Sequence, residues 1–321
     1  MTVKVLKLCI AAAAATLVAC GGGGGGDSAP AGPSAQVSFN EELAGFNLLN
    51  TERVRCGFGG LERNSQLDAA ARAHADYQIA NNVVSHEEEP GRPGFTGVGP
   101  LSRIRAQGYQ EPVGGGIGVT DEIFVLLGSN AISGVAERGV RSLLNAPYHL
   151  QGLMSGYRDV GISLRPTTVI SGPRAAVYLQ INAAYKGGPQ LLPATQVLSY
   201  PCEGSSGVDR QLSDEQPNPV PGRDLRTSPL GSSVYVAVRE GQTLTINSAS
   251  MVKVSNGQPV ALRMPVTAAN DPNPGFFRSH QGYVVPDGPL DANTAYRVRV
   301  GGANNGAPFS LNFIFTTGTG G

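Results

Sequence analysis

Ser133-Gly134-Val135-Ala136-Glu137-Arg138-Gly139-Val140-Arg141-Ser142-Leu143-Leu144-Asn145-Ala146-Pro147-Tyr148-His149 is the stretch on which the fold turns. Its first part has helical spacing: Ala136, Gly139, Val140, Leu143 and Leu144 share one face, and Glu137 lies beside it. Asn145-Ala146-Pro147 then breaks the helix, because proline has no amide proton and its ring crowds the preceding turn. His149 follows directly. Downstream the apolar period changes to that of strands: Val160 to Leu164 reads as a short strand, and Ala175, Val177, Leu179 and Ile181 alternate with Tyr178, Gln180 and Asn182 in a longer one.

Upstream the pattern is helical. Leu43, Phe46, Leu49 and Val54 recur at roughly helical spacing until Gly57 and Gly59-Gly60 stop the segment. Ser65 with Asp68 forms a capping-box variant, and Leu67, Ala70, Ala71, His74 and Tyr77/Gln78 fall on one face of the helix that follows. His74 is therefore expected to be a hydrogen-bonded core or boundary histidine. After Asn81-Asn82 comes His86, then Glu87-Glu88-Glu89-Pro90-Gly91, read as a solvated loop. Pro100 opens a short helix that Gly108 closes, and Gly114 to Gly118 reads as another loop. Helices first and strands last within one domain-sized stretch indicate an α+β domain.

The ends of the chain carry other instructions. Lys4 and Lys7 precede an apolar run from Leu8 to Val18, too short for a mature transmembrane helix, so residues 1–20 read as a processing segment. Leu17-Val18-Ala19-Cys20 resembles a bacterial lipobox. Cys20 is then the lipidation point, and the alternative is an ordinary secretory signal that happens to hold a cysteine. Residues 21–37, rich in Gly, Pro and Ser, form a flexible tether. No Asp follows Cys20 directly, which by resemblance to bacterial lipoprotein sorting implies the outer membrane of the cell envelope, if the cell has one. Cys9 leaves with the signal, so Cys56 and Cys202 remain to pair in an oxidising compartment or to stay as two separate buried thiols. With 24 basic and 24 acidic residues the chain has no electrostatic footprint for nucleic acid.

Taken in order, Leu48-Leu49-Asn50-Thr51-Glu52-Arg53, Gly60-Leu61-Glu62-Arg63-Asn64-Ser65-Gln66-Leu67-Asp68, Ser85-His86, Arg103-Ile104-Arg105-Ala106-Gln107-Gly108-Tyr109, Asn145-Ala146-Pro147-Tyr148-His149 and Val160-Gly161-Ile162 resemble the CAP domain. This is the SCP-like family of cysteine-rich secretory, antigen 5 and pathogenesis-related proteins. The resemblance implies an α-β-α sandwich over residues 38–205, with a cleft where two histidines and two acids meet and, in some members, hold a divalent metal such as zinc. His86 and His149 match the two histidines and are the implied metal ligands. The family's Gly-Glu-Asn-Ile block is replaced by Gly114-Gly115-Gly116-Ile117, so one acid is missing or displaced. Glu122 is the preferred stand-in, ahead of Glu111 and Asp121, and Glu137 is the candidate for the other acid.

Residues 206–225 read as a proline-bearing linker. Beyond them, runs at 234–238, 243–246, 260–264, 296–300 and 311–317 are separated by Gly, Pro, Asn and Asp clusters, the pattern of an all-β sandwich over 226–321. Its last two strands resemble those of bacterial immunoglobulin-like modules, and His280 falls in a loop expected at the surface. Ser85 has no Gly-x-Ser-x-Gly setting, so a serine hydrolase is excluded. No Lys-Ser/Thr follows Gly114 to Gly118, so that loop is no phosphate cradle. Three readings of function follow. One is a lipid-anchored envelope protein that binds a lipid-like or other small apolar ligand without catalysis. The second is a metal-dependent hydrolase of envelope peptide or peptidoglycan, and the third a structural or adhesive surface protein.

Overall fold

The structure, a computed structural model, describes residues 33–167 and 175–320. The expected leader, Cys20 and most of the tether lie outside the described residues. Helix α1 (Pro33–Arg55) takes in the last five residues of the stretch assigned to the tether and ends where Gly57 adopts φ 83°. Helix α2 (Ser65–Asn81) is capped by Asn64 rather than Ser65: the Asn64 side chain accepts from the amides of Gln66 and Leu67. That leaves Asp68 free to hold the chain elsewhere. Its Oδ1 accepts from Arg63 (2.7 Å) and from the amide of Ile162 (2.8 Å).

The first sheet has the order β1-β3-β4-β2, built from β1 (Glu62–Arg63), β2 (Ile117–Leu127), β3 (Asp159–Thr167) and β4 (Ala176–Lys186). Only the β1–β3 pair is parallel. Because β1 is two residues long, the outer edge of β3 is finished by side chains: Asp68 takes the amide of Ile162, and Glu42 that of Leu164 at 3.0 Å. This satisfies buried donors that would otherwise cost stability. Strand β4 is buried almost throughout and divides its residues by parity. Ala176, Tyr178 and Ala184 pack with residues of α2, whereas Val177, Leu179, Ile181 and Ala183 join a core with α1 and α4 (Val135–Asn145). Helices thus cover both faces of the sheet. On the α2 face the approach is close enough that a Cβ on Gly161 would lie 2.0 Å from the backbone carbon of Leu67.

Strand β2 was not expected. Residues 114–118 are read from sequence as a loop, yet Ile117 already pairs with Lys186 and the pairing continues to Leu127 opposite Ala176. Helix α3 (Pro100–Ala106) lies beside this edge strand. Pro147 ends α4, as expected, but it also starts a further helix, α5 (Pro147–Leu153), because proline suits a first helical turn whose amide has no partner. His149 is therefore on a helix.

The C-terminal half contains two four-stranded sheets that share a core. One has the order β11-β12-β9-β5: β11 (Val266–Thr267), β12 (Gln281–Val284), β9 (Val234–Ala237) and β5 (Leu198–Tyr200). The other is β10-β13-β14-β6: β10 (Leu244–Lys253), β13 (Ala295–Asn304), β14 (Ala307–Thr317) and β6 (Ser206–Val208). A short pair, β7 (Gln211–Leu212) with β8 (Leu230–Gly231), completes the half. The 260–264 run is not a strand. It makes only a bridge from Leu262 to Pro286, beside another from Pro259 to Val252, since the prolines that flank it cannot donate to a ladder.

The stretch 206–225 supplies β6 and β7, and β5 at 198–200 sits in a sheet of the C-terminal half. Val234, Val236 and Val238 belong to the core between the two C-terminal sheets, while Tyr235 and Ala237 belong to the core of the N-terminal half. The second core therefore continues into the first. The disulfide Cys56–Cys202 ties the end of α1 to residues just past β5, with Cα atoms 5.5 Å apart. Arg53 adds a polar tie. It is fully buried without a carboxylate, and its guanidinium donates to the carbonyls of Leu153, Ser155, Phe58 and Gly59. Among the described residues no helix is long and apolar enough to cross a membrane.

Because the atoms facing Gly161 are backbone, Gly161→Ala is expected to cost about 3 kcal/mol, the upper end for overpacking. Urea unfolding measures this, and a loss under about 1 kcal/mol would contradict the close α2–sheet contact.

Candidate functional site around the edge strand β2

Successive residues of a strand point to opposite faces, so Asp121 and Glu122 on β2 face different layers. Their partners show it: Asp121 lies opposite Asn182, and Glu122 opposite Ile181. As β2 is the sheet edge, groups from both faces reach one opening. A cavity of about 270 Å³ there is lined by His86, Thr120, Glu122, His149, Gln151 and Phe276, among others. The structure brings His86, His149 and Glu122 together. It does not bring Glu137, which is exposed on α4, because the face of α4 that points inward is the one bearing Ala136, Val140 and Leu144. Glu111 is also elsewhere, paired with Arg105 at the surface.

Asp121, a weaker candidate from sequence, is the acid that holds His86. Its Oδ2 lies 3.0 Å from His86 Nδ1 and 3.0 Å from Arg103 Nη2. Its Oδ1 accepts from Gln180 and, with the Asn182 amide turned to satisfy both of its ends, from Asn182 at 2.6 Å. Arg103 is fully buried and also donates to the His86 carbonyl at 2.8 Å, which fixes both members of the pair. The carboxylate draws protons to the imidazole: its hydrogen bond raises the pKa of His86 above the ordinary value, against the opposing effect of burial.

His149 is held by an acid that sequence assigned to a linker. Glu215 Oε1 accepts from the amide of Tyr148 at 2.7 Å and lies 3.4 Å from His149 Nδ1. Burial works to lower the pKa of His149, but Glu215 and Glu122 outweigh it and the net shift is upward. The other side of Tyr148 is anchored in the C-terminal half, where its hydroxyl donates to Asp271 (2.6 Å) and its ring packs on Phe276 and Phe277. Each histidine thus has a carboxylate behind it.

Glu122 lines the same opening and interacts electrostatically with both. A Cβ on Gly152 of α5 would come within 2.1 Å of its Oε1, so the glycine leaves the carboxyl room in its present position. The Thr120 hydroxyl donates to that oxygen at 2.6 Å. Burial pushes the Glu122 carboxyl up to about 7, against the pull of His149, Thr120 and His86.

The polar cluster extends inward from the site. His74 is fully buried, with Nδ1 2.8 Å from Glu88 and Nε2 2.8 Å from the Ser85 carbonyl. Glu88 is not solvated as its loop position implied. It is buried and accepts from Thr96 and Gly97, organising the loop that presents His86.

The side chains present do not fit the divalent metal centre that the family resemblance implied at His86 and His149. Among the described residues no three His, Cys, Asp or Glu side chains converge as ligands. Both oxygens of Asp121 are already committed to Arg103, Gln180 and His86. A catalytic zinc normally draws on three protein ligands and a structural zinc on four.

Compared with known proteins, the chain matches no family model and no curated protein. Solved structures that resemble it include an outer surface protein from Borrelia burgdorferi, 15% identical over 46% of this chain and 93% of that one, with a TM-score of 0.33. An extracellular protein containing an SCP domain from Bacillus anthracis is 20% identical over 50% of this chain and 45% of that one, with a TM-score of 0.36. Both scores are low, and the site rests on the geometry above.

Glu122 gives a pH test. Its folded pKa lies above the ordinary 4.5, so the stability it contributes is present below that value and lost as pH rises through about 7. Glu122→Gln keeps the Thr120 contact and removes the ionisation, so it should gain up to about 3 kcal/mol on the native chain between pH 5 and pH 8. Urea midpoints at both pH values measure the difference. An equal effect at the two would contradict the buried, raised carboxyl.

Proposed function

We propose that this chain is an exported envelope protein, lipid-anchored through Cys20, in which a CAP-like domain, from α1 through β4, binds a small amphipathic, lipid-like ligand in the His86–His149 cleft. An immunoglobulin-like β-sandwich backs that cleft. One observation carries the reading: the two histidines, each backed by its own carboxylate, face a cavity whose other wall is the half-exposed ring of Phe276. A polar end and an apolar wall in one small cavity suit a ligand with an oxyanion head and an apolar body. The raised pKa values of both imidazoles favour their protonated, donor-only form towards that head. The Cys56–Cys202 disulfide accords with an extracytoplasmic location.

A second reading, hydrolysis of envelope peptide or peptidoglycan, has one observation in its favour. Glu122, which titrates near 7, and the carboxylate-backed His86 line one cavity, so the ionised carboxyl can serve as base and the protonated imidazole as acid. It needs no metal.

The binding reading is tested by calorimetry with dodecanoate on the purified mature protein. Affinity should be about tenfold higher at pH 6 than at pH 8, because Glu122, with its carboxyl pushed up to about 7, ionises between them and adds a negative charge to the cavity. Glu122→Gln should abolish the difference, and His86→Ala and His149→Ala should each weaken binding at pH 6. Equal or tighter binding at pH 8 contradicts the reading. Turnover of envelope fractions that both histidine substitutions abolish replaces it with the second.

A further inference from the structure

A second cavity, about 380 Å³, adjoins the histidine cleft and shares Val119, Gln151 and Phe276 with it. It lies in the seam between the two halves of the chain. Its walls come from the loop after α5 and the end of β4 on one side, and from residues 235–240 and 275–281 on the other. Tyr157 and Tyr185 stand in it as a pair of rings 6.1 Å apart and 25° from parallel. Gly118 has no side chain because the Tyr185 ring lies over it: a Cβ there would meet the ring at 2.6 Å. Phe276, 44% exposed, forms the opposite wall.

The floor is an organised set of amides and hydroxyls. Gln281 Nε2 lies 3.0 Å from the Tyr235 hydroxyl, 3.3 Å from Gln151 Oε1 and 3.4 Å from Ser155 Oγ. Its own Oε1 accepts from the amide of Arg278, which fixes the side chain. Glu240 and Arg278, of opposite charge, stand at the rim, with His280, expected at the surface, also lining the space.

These features select a ligand class. Aromatic faces pack on the C–H faces of pyranose rings, while amides and a mixed pair of charges match hydroxyls in both donor and acceptor roles. An acyl chain in the same space would cover the exposed charges of Glu240 and Arg278 without replacing their hydration, at a desolvation cost. The balanced charge gives no preference for an ion.

We propose that the seam cavity is an oligosaccharide-binding site in which sugar rings pack on Tyr185, Tyr157 and Phe276, while their hydroxyls and acetamides pair with Gln151, Arg278 and Glu240. The site goes beyond the lipid-like ligand of the histidine cleft and does not depend on it.

Calorimetric titration of the mature protein with two neutral probes, the β-1,4-linked tetrasaccharide of N-acetylglucosamine and maltotetraose, tests it. Saturable binding of at least one is expected. Tyr185→Ala and Phe276→Ala should each weaken it by about tenfold or more, as expected for loss of a stacking face. Tyr185→Phe, which keeps the ring, should retain it, and His86→Ala, which impairs the neighbouring cleft, should leave it unchanged. Should Tyr185→Ala fail to fold, Glu240→Ala and Phe276→Ala at the solvent-facing rim carry the test. Failure of both sugars to bind the folded protein overturns the proposal. So does binding that survives the ring substitutions, or binding lost with His86→Ala.

Discussion

The sheet β11-β12-β9-β5 is apolar on both faces, and the rest of the molecule is arranged around that constraint. Residues 234, 236 and 238 supply valines to the core of the β-sandwich, while Tyr235 and Ala237 point the other way, where Tyr235 meets Phe58 with ring centroids 6.0 Å apart. Tyr283 and Phe277 extend the same surface to Tyr148. A fully buried large apolar side chain contributes roughly 1.5–3 kcal/mol. Exposing this surface would therefore cost as much as an ordinary domain's net stability. The C-terminal half is a wall of the N-terminal half rather than a separate module on a flexible linker.

That packing decides what the site is. Glu215 lies in the crossing segment, and it reaches His149 because the segment is pressed against the start of α5. Phe276 comes from the C-terminal half and closes the cleft from outside. On the other side of β2 the buried charges are balanced locally. Asp121 meets Arg103 at 3.0 Å, with Gln180 taking the remaining oxygen. A buried carboxylate is tolerated only when it is paired and hydrogen-bonded in this way. Removing Arg103 would strand the charge and release His86 together.

How much of this could be read from the chain alone follows from the range of the forces involved. The inward face of α2, the break at Pro147 and the strands at β3 and β4 are local patterns, and they were legible. So was the association of His86, His149 and Glu122, through a resemblance in the order of short blocks. Strand β2 was hidden by the glycines that precede it, although Val119 to Leu127 has a strand's composition. Glu137 was favoured for its nearness in sequence to His149, but three turns of helix rotated it to solvent. Glu215 had no local signal at all, since its role depends on which surface a proline-rich segment lies against. The unbroken apolar run at 234–238 did carry a signal: a strand with one solvated face alternates, and one buried on both faces does not.

Both halves form one body through the shared core, with the cleft in its seam. Hydrogen exchange at increasing urea measures this directly, by comparing the opening free energies of the β4 amides with those of β9. If the shared core holds the molecule together, the two sets merge into a single unfolding event with the same free energy and the same urea dependence. Opening of β9 with the whole sandwich, while β4 stays protected at a clearly higher free energy, would contradict it.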